Sequence, residues 1–203
     1  MQGEWFIQGG PIMYPLLGCS LLAVTITIER LIFWSRTRRR RDQPQIERIC
    51  ELVAAGDYDE AQTLSGASGD PVARIFRFGL THLHVSLEAA LQMAAGEEIR
   101  RMRKFLKVLD TIVTLAPLLG ILGTVLGIIT SFDVMSGGRI DNPVEVTGGI
   151  AEALITTAFG LVVAMLALIP YNYFTARVDD AVGDMEGQLT SFEIMFKKGR
   201  MNG

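Results

Sequence analysis

The chain has 203 residues, 49% of them hydrophobic, a formal net charge of −3 and a mean hydropathy of +0.32. That hydropathy is high for a soluble domain and low for a transporter that is nearly all membrane, so it points to a few membrane spans joined to a sizeable polar part. Two cysteines, Cys19 in an apolar run and Cys50 in a charged one, give no disulfide framework and no metal spacing, and both are expected as ordinary buried thiols.

Residues 1–10 read as an external N-terminus. A first transmembrane helix is predicted over 11–34 (PIMYPLLGCSLLAVTITIERLIFW), whose first 18 residues carry no charge, enough to cross roughly 30 Å of hydrocarbon. It lacks the basic start and small-residue cleavage site of a signal peptide. The basic run at 38–41 reads as a stop-transfer anchor facing anionic lipid, and no nucleic acid is expected as a partner.

Residues 35–110 form a predicted cytoplasmic helical region. Helices are expected over 44–55 and 57–64, with Gly56 closing the first and Asp57 capping the second. The SGASGD stretch at 65–70 is a stop, and Pro71 suits the first turn of another helix. From there to Lys107 breakers are almost absent, which predicts one long helix running into the second span. His82 and His84 are two apart, so on a helix they diverge rather than share a metal.

The second span is predicted over 111–132 and the third over 150–174, joined by the loop 133–149. GGRIDNP at 137–143 is a polar turn and not a phosphate cradle, because no strand precedes it and no Lys-Ser/Thr follows. Residues 175–203 form a predicted helical tail in which Phe174, Val178, Met185, Leu189, Phe192 and Phe196 recur at helical spacing. Of the 19 basic residues, 14 lie from Arg30 to Lys107 and four follow the third span, leaving Arg139 alone in the loop. By that bias the N-terminus and the loop are outside, while the 35–110 region and the tail are cytoplasmic.

Spans two and three carry more than bulk aliphatics. Gly120, Gly123, Gly127, Gly160 and Ala164 are expected to let helix backbones approach closely. Thr124 lies about 12 Å below the outer end of its ascending span, and Thr157 about 10 Å below the start of its descending one. Two hydroxyls therefore reach similar depth, with Thr156 beside Thr157 but turned about 100° away. Glu152 sits near the outer mouth, where an acidic group is costly unless it faces protein or water. These four residues are the ion-pathway candidates. Hydroxyls do not titrate near neutral pH, and the deep half of the bilayer holds no carboxylate, His or Lys from this chain. A proton route therefore needs a titratable group from another polypeptide.

The segments APLLGILGTVLGIITSF (116–132) and GIAEALITTAFGLVVAMLALIPYNYF (149–174) closely resemble the MotA/TolQ/ExbB proton-channel family. GGPIMYPLLGCSLLAVTITIERLIFW (9–34), with its Glu29 and Arg30, resembles the ExbB/TolQ branch. The likeness extends over all three spans and their connections. It implies an all-α membrane protein with long cytoplasmic helical extensions, five copies of which form a homopentameric ring in the bacterial inner membrane, so that the N-terminus (1–10) and the loop (133–149) are periplasmic. It further implies a dimeric, single-span ExbD/TolR-like partner in the pore that carries the ion-accepting Asp. The family's pore threonines fall on Thr124 and Thr157, and its acidic position on Glu152. Work would pass to an outer-membrane system through a TonB-like or Tol–Pal-like link. Three spans and a short chain depart from the four-span flagellar branch. The alternative is a ring that scaffolds without conducting. An enzyme is not expected, since the spans hold no Ser/His or paired-Asp constellation, and no cofactor or metal is implied. Three spans offer a solute transporter no inverted repeat. The residues leave open whether the ion is proton or sodium, and which client is driven.

Overall fold

The computed structural model describes residues 10–83, 86–136 and 143–202. Expectations placed on 1–9, His84, Arg139 and the turn at 137–142 lie outside the described residues. Among the described residues every regular element is a helix: α1 (Met13–Arg39), α2 (Gln43–Ala55), α3 (Tyr58–Ala67), α4 (Pro71–Thr81), α5 (Leu87–Met102), α6 (Leu106–Ser136) and α7 (Pro143–Asn202). Three stretches are long and apolar enough to cross a membrane, Met13–Arg39, Leu106–Asp133 and Thr147–Met201. The chain divides into two compact units, Met1–Glu29 with Phe105–Phe174, and Arg30–Lys104 with Thr175–Gly203.

In the first unit, α6 and α7 meet along small residues described below. Only 22%, 28% and 33% of the three most apolar windows is buried within the chain. Leu21, Ile28, Leu118, Ile129, Leu154 and Ile169 are among the large side chains left exposed, so one copy alone leaves most of its apolar surface to lipid or to further protein.

The second unit folds around Ile49, Val53, Ile75, Phe76, Leu91 and Phe192, all fully buried. Phe76 and Phe192 stack with centroids 4.1 Å apart, which joins α4 to α7. Consecutive helices α2 to α5 pack in pairs because each carries a distinct stop. Gly56 adopts φ 89° at the end of α2, a conformation that favours glycine, and its N–H reaches the Leu52 and Val53 carbonyls. Asp42 caps α2 by accepting from Gln45 N, and Asp70 caps α4 by accepting from Val72 N. Asp57 occupies the cap position of α3 without a side-chain bond. The expected stop at 65–70 acts late, since α3 runs through Ala67.

The single helix expected from 71 to the second span is divided twice. Ser86 starts α5 by accepting from Ala89 N, so the chain turns back and brings Gly79 against Leu91. A Cβ on Gly79 would stand 2.6 Å from a Leu91 methyl. The second break falls at 103–105, where Phe105 takes φ 65°. Its cause is remote in sequence. The guanidinium of Arg30, 1% exposed, donates to the carbonyls of Arg101 and Met102 at 3.1 and 3.2 Å and lies 4.6 Å over the Phe33 ring. Carbonyls engaged by Arg30 end α5 there. Arg74 and Glu98 form a two-point pair, at 3.1 and 2.9 Å, that ties α4 to α5.

Both cysteines are partly exposed rather than buried. Burial and then the Glu47 carboxylate push the Cys50 thiol from 9.0 up to about 11. A rise of that size cuts the thiolate fraction at pH 8 about a hundredfold. The thiolate that does form is several times more nucleophilic, so in a Cys19→Ala background iodoacetamide should label folded Cys50 about tenfold more slowly than the unfolded chain at pH 8, with the gap closing as pH climbs. Equal rates would show that the thiol is not held in this environment.

Candidate ion pathway

The seam between α6 and α7 is built from residues too small to keep the backbones apart. A Cβ on Gly160 would lie 2.6 Å from the Ala116 carbonyl oxygen and 3.0 Å from Gly120 Cα. One on Gly120 would lie 3.0 Å from Thr157 Cα, and one on Gly127 2.9 Å from Ala153 Cβ. Gly123 faces the Thr156 side chain, and Gly149 faces the Ser131 hydroxyl. Glycine is required at Gly120, Gly127 and Gly160 because the neighbouring atoms belong to backbone or to a Cβ, which cannot move aside. Ala153 and Ala167 are fully buried and Ala164 is nearly so.

A hydroxyl carried into an apolar span is costly unless it finds an acceptor, and here each finds one within the chain. Thr157 Oγ1 donates across the seam to the Gly120 carbonyl at 2.8 Å. Thr156, 1% exposed, donates to the Glu152 carbonyl at 2.9 Å, and Ser131 donates to the Gly127 carbonyl at 2.9 Å. Thr124 donates within its own helix to the Ile121 carbonyl at 2.6 Å. Thr157 and Thr156 are thus held at the α6–α7 contact, Thr157 against Gly120 and Thr156 against Gly123. Thr124 keeps its hydroxyl on α6 and remains partly exposed. In each case the oxygen keeps lone pairs that accept from a water or a second polar group.

Glu152 is directed elsewhere. Its carboxylate lies against Gly10, just before α1, where φ is +66° and a Cβ would collide with Glu152 Oε1. Gly10 was not among the sequence candidates. The only signal was the Gly-Gly-Pro start of the first apolar run, and nothing local ties that run to a residue 142 positions later. An alanine at this φ costs about 1 kcal/mol of backbone strain, and its methyl group also displaces the carboxylate. Gly10→Ala should lower the thermal midpoint by about 2–4 °C or more, and adding Glu152→Asp, one methylene shorter, should recover part of that loss. Absence of any recovery would mean that only the backbone is strained. Among the described residues no three His, Cys, Asp or Glu side chains gather as metal ligands, and His82 Nδ1 bonds the Phe78 carbonyl of its own helix.

Fold and seam together define a helical membrane protein with three apolar spans, the last two closely packed and carrying hydroxyls into the bilayer. The family described as the MotA/TolQ/ExbB proton channel family matches residues 67–187. The chain is 35% identical over 201 residues to a Synechocystis sp. protein named ExbB-like 3, covering 95% of this chain and 93% of that one. It is 39% identical over 202 residues to ExbB-like 1 of Synechocystis sp., covering 95% and 78%. With the Tol-Pal system protein TolQ of Pseudomonas aeruginosa it shares 29% identity over 195 residues, covering 87% and 84%. The chain belongs to the MotA/TolQ/ExbB proton channel family, in its ExbB/TolQ branch.

Proposed function

We propose that five copies of this chain form an inner-membrane ring that conducts protons with a single-span partner and turns that flow into mechanical work. The observation that carries this reading is the α6–α7 seam. It holds Thr157 on a cross-helix bond within an apolar span that supplies no deep titratable group. The acid then comes from an ExbD/TolR-like dimer in the lumen, with Thr124, Thr157 and Glu152 lining the route and Thr156 held in the seam behind them. The large apolar surface left uncovered on all three spans supports assembly with further copies. The basic bias supports a periplasmic N-terminus and a cytoplasmic tail, with residues 35–110 and the tail as cytoplasmic helical extensions against anionic lipid. The TolQ relative's place in a Tol-Pal system supports a Tol–Pal-like link, and the ExbB-like names support biopolymer transport through a TonB-like one.

A second reading is favoured by the same hydrogen bonds. Every hydroxyl on the route is already donated to a backbone carbonyl, as in a ring that only packs and scaffolds. Proton flux into liposomes containing the chain with its co-expressed partner separates the two. The motor reading expects flux that needs both polypeptides and persists when potassium replaces sodium. Flux absent in every combination leaves the scaffold, and flux only with sodium changes the ion.

A further inference from the structure

The apolar stretch Leu106–Asp133 begins with a carboxylate, Asp110, that the ion-pathway candidates leave out. Its direction on α6 can be read from burial. Leu109, Ile112, Ala116, Gly120, Gly123 and Gly127 are buried at spacings of three or four residues. One buried stripe therefore runs along the helix, and Pro117 does not break its register. Of the two flanks beside it, one carries only large aliphatics from Leu115 outward: Leu115, Leu118, Leu122, Leu126 and Ile129 are all exposed there. That flank suits lipid. The other flank runs Asp110, Thr114, Pro117, Ile121 and Thr124, all within about 40° of one line along the helix.

This second flank is polar below Thr124 as well as at it. The Thr114 hydroxyl donates to the Asp110 and Thr111 carbonyls at 3.4 and 3.0 Å, which leaves its lone pairs to accept. Pro117 has no N–H, so the Val113 carbonyl one turn earlier lacks its helical donor. Asp110 itself is exposed, and its carboxylate has no ion pair or hydrogen bond among the described residues. Lys107, a turn earlier, is the nearest charge along the helix and does not pair with it. On α7, Tyr171 lies as far beyond Thr157 as Asp110 lies from Thr124, about 21 Å.

We infer that Asp110 is the exit carboxylate of the ion route, taking the proton from the lumen and releasing it to the cytoplasm. The inference rests on the conducting ring proposed above. The proton leaves the partner's acid, passes along water held by Thr124, the Val113 carbonyl and Thr114, and forms an O–H on Asp110. That bond then breaks to cytoplasmic water and restores the carboxylate.

Proton flux into liposomes holding the chain and its co-expressed partner tests the assignment. Asp110→Asn should fold normally, since the carboxylate has no partner to lose. It should conduct about tenfold less, below the usual gain from a positioned proton acceptor because water reaches this exposed end. Asp110→Glu should keep most of the flux. In a chain with Cys19→Ala and Cys50→Ala, Asp110→Cys should conduct as poorly as Asp110→Asn. Iodoacetate places a carboxylate on that thiol and should restore flux severalfold. Iodoacetamide adds a neutral group of similar size and should not. Leu115→Cys, on the aliphatic flank, should conduct alike with either reagent. Flux unchanged in Asp110→Asn, or restored equally by both reagents or by neither, overturns the assignment and leaves the conducting ring standing. No flux from the unmodified chain with its partner would end both readings together.

Discussion

Replacing Gly160 by valine should unfold or disperse the membrane unit. The new Cβ would start 2.6 Å from the Ala116 carbonyl and 3.0 Å from Gly120 Cα. Neither is the end of a flexible side chain, so α6 and α7 must separate along their length. Overpacking of this kind costs about 1–3 kcal/mol where side chains can yield, and backbone neighbours place it at or above the upper end. Separation would also break the Thr157 bond to the Gly120 carbonyl, about 1 kcal/mol more. Gly18→Ala is the matched control, since a Cβ at that position on α1 meets nothing within 4 Å. Size-exclusion chromatography in detergent with a thermal ramp checks the pair. Gly160→Val should lose the folded peak, and Gly18→Ala should keep it. A folded Gly160→Val of ordinary midpoint would mean that the seam is not the contact described here.

Thr157→Val is expected to separate folding from conduction. Valine keeps the branched shape while removing the hydroxyl, so only the cross-seam bond is lost, about 1 kcal/mol. On the proposed route the same change removes a polar group from the pore lining, and partner-dependent proton flux should fall about tenfold or more. Thr157→Ser should retain most of it. Glu152→Ala should likewise leave a folded ring without partner-dependent flux. Full flux in both Thr157→Val and Glu152→Ala would remove these residues from the route, and a folding defect equal to the flux defect would make Thr157 a packing residue.

The three apolar runs were legible because an uncharged run of membrane length has few other readings, and the family could be named from the spans alone. The glycine spacing also pointed to close helix contact, and the structure places Gly120, Gly123, Gly127 and Gly160 against α7 or α6. What stayed hidden depends on residues distant in the chain. Nothing near Met102 announces the end of α5, because the group that ends it is Arg30, 72 positions away. Ser86 is of a residue type that caps helices, but a serine amid so few breakers does not by itself mark a helix start, and it is the packing of Gly79 against Leu91 that makes the turn visible. Glu152 could be recognised as an acid in a membrane, but its neighbour Gly10 could not. The orientation of Thr156 into Gly123 follows from how far α6 and α7 are rotated about their axes, which spacing within one helix does not fix.

The glycine-lined seam also limits how such a protein can move. Between the Ala116–Gly160 level and the Ser131–Gly149 level the helices leave no room for even an added methyl group. It would meet backbone at Gly160, Gly120 and Gly127 and the Thr156 and Ser131 side chains at Gly123 and Gly149, so the two helices cannot slip along each other without atomic overlap. They behave as one stiff stave. Whatever displacement accompanies an ion's passage must then occur at the surfaces between neighbouring staves, or between staves and a guest helix, where the exposed side chains are long and yielding.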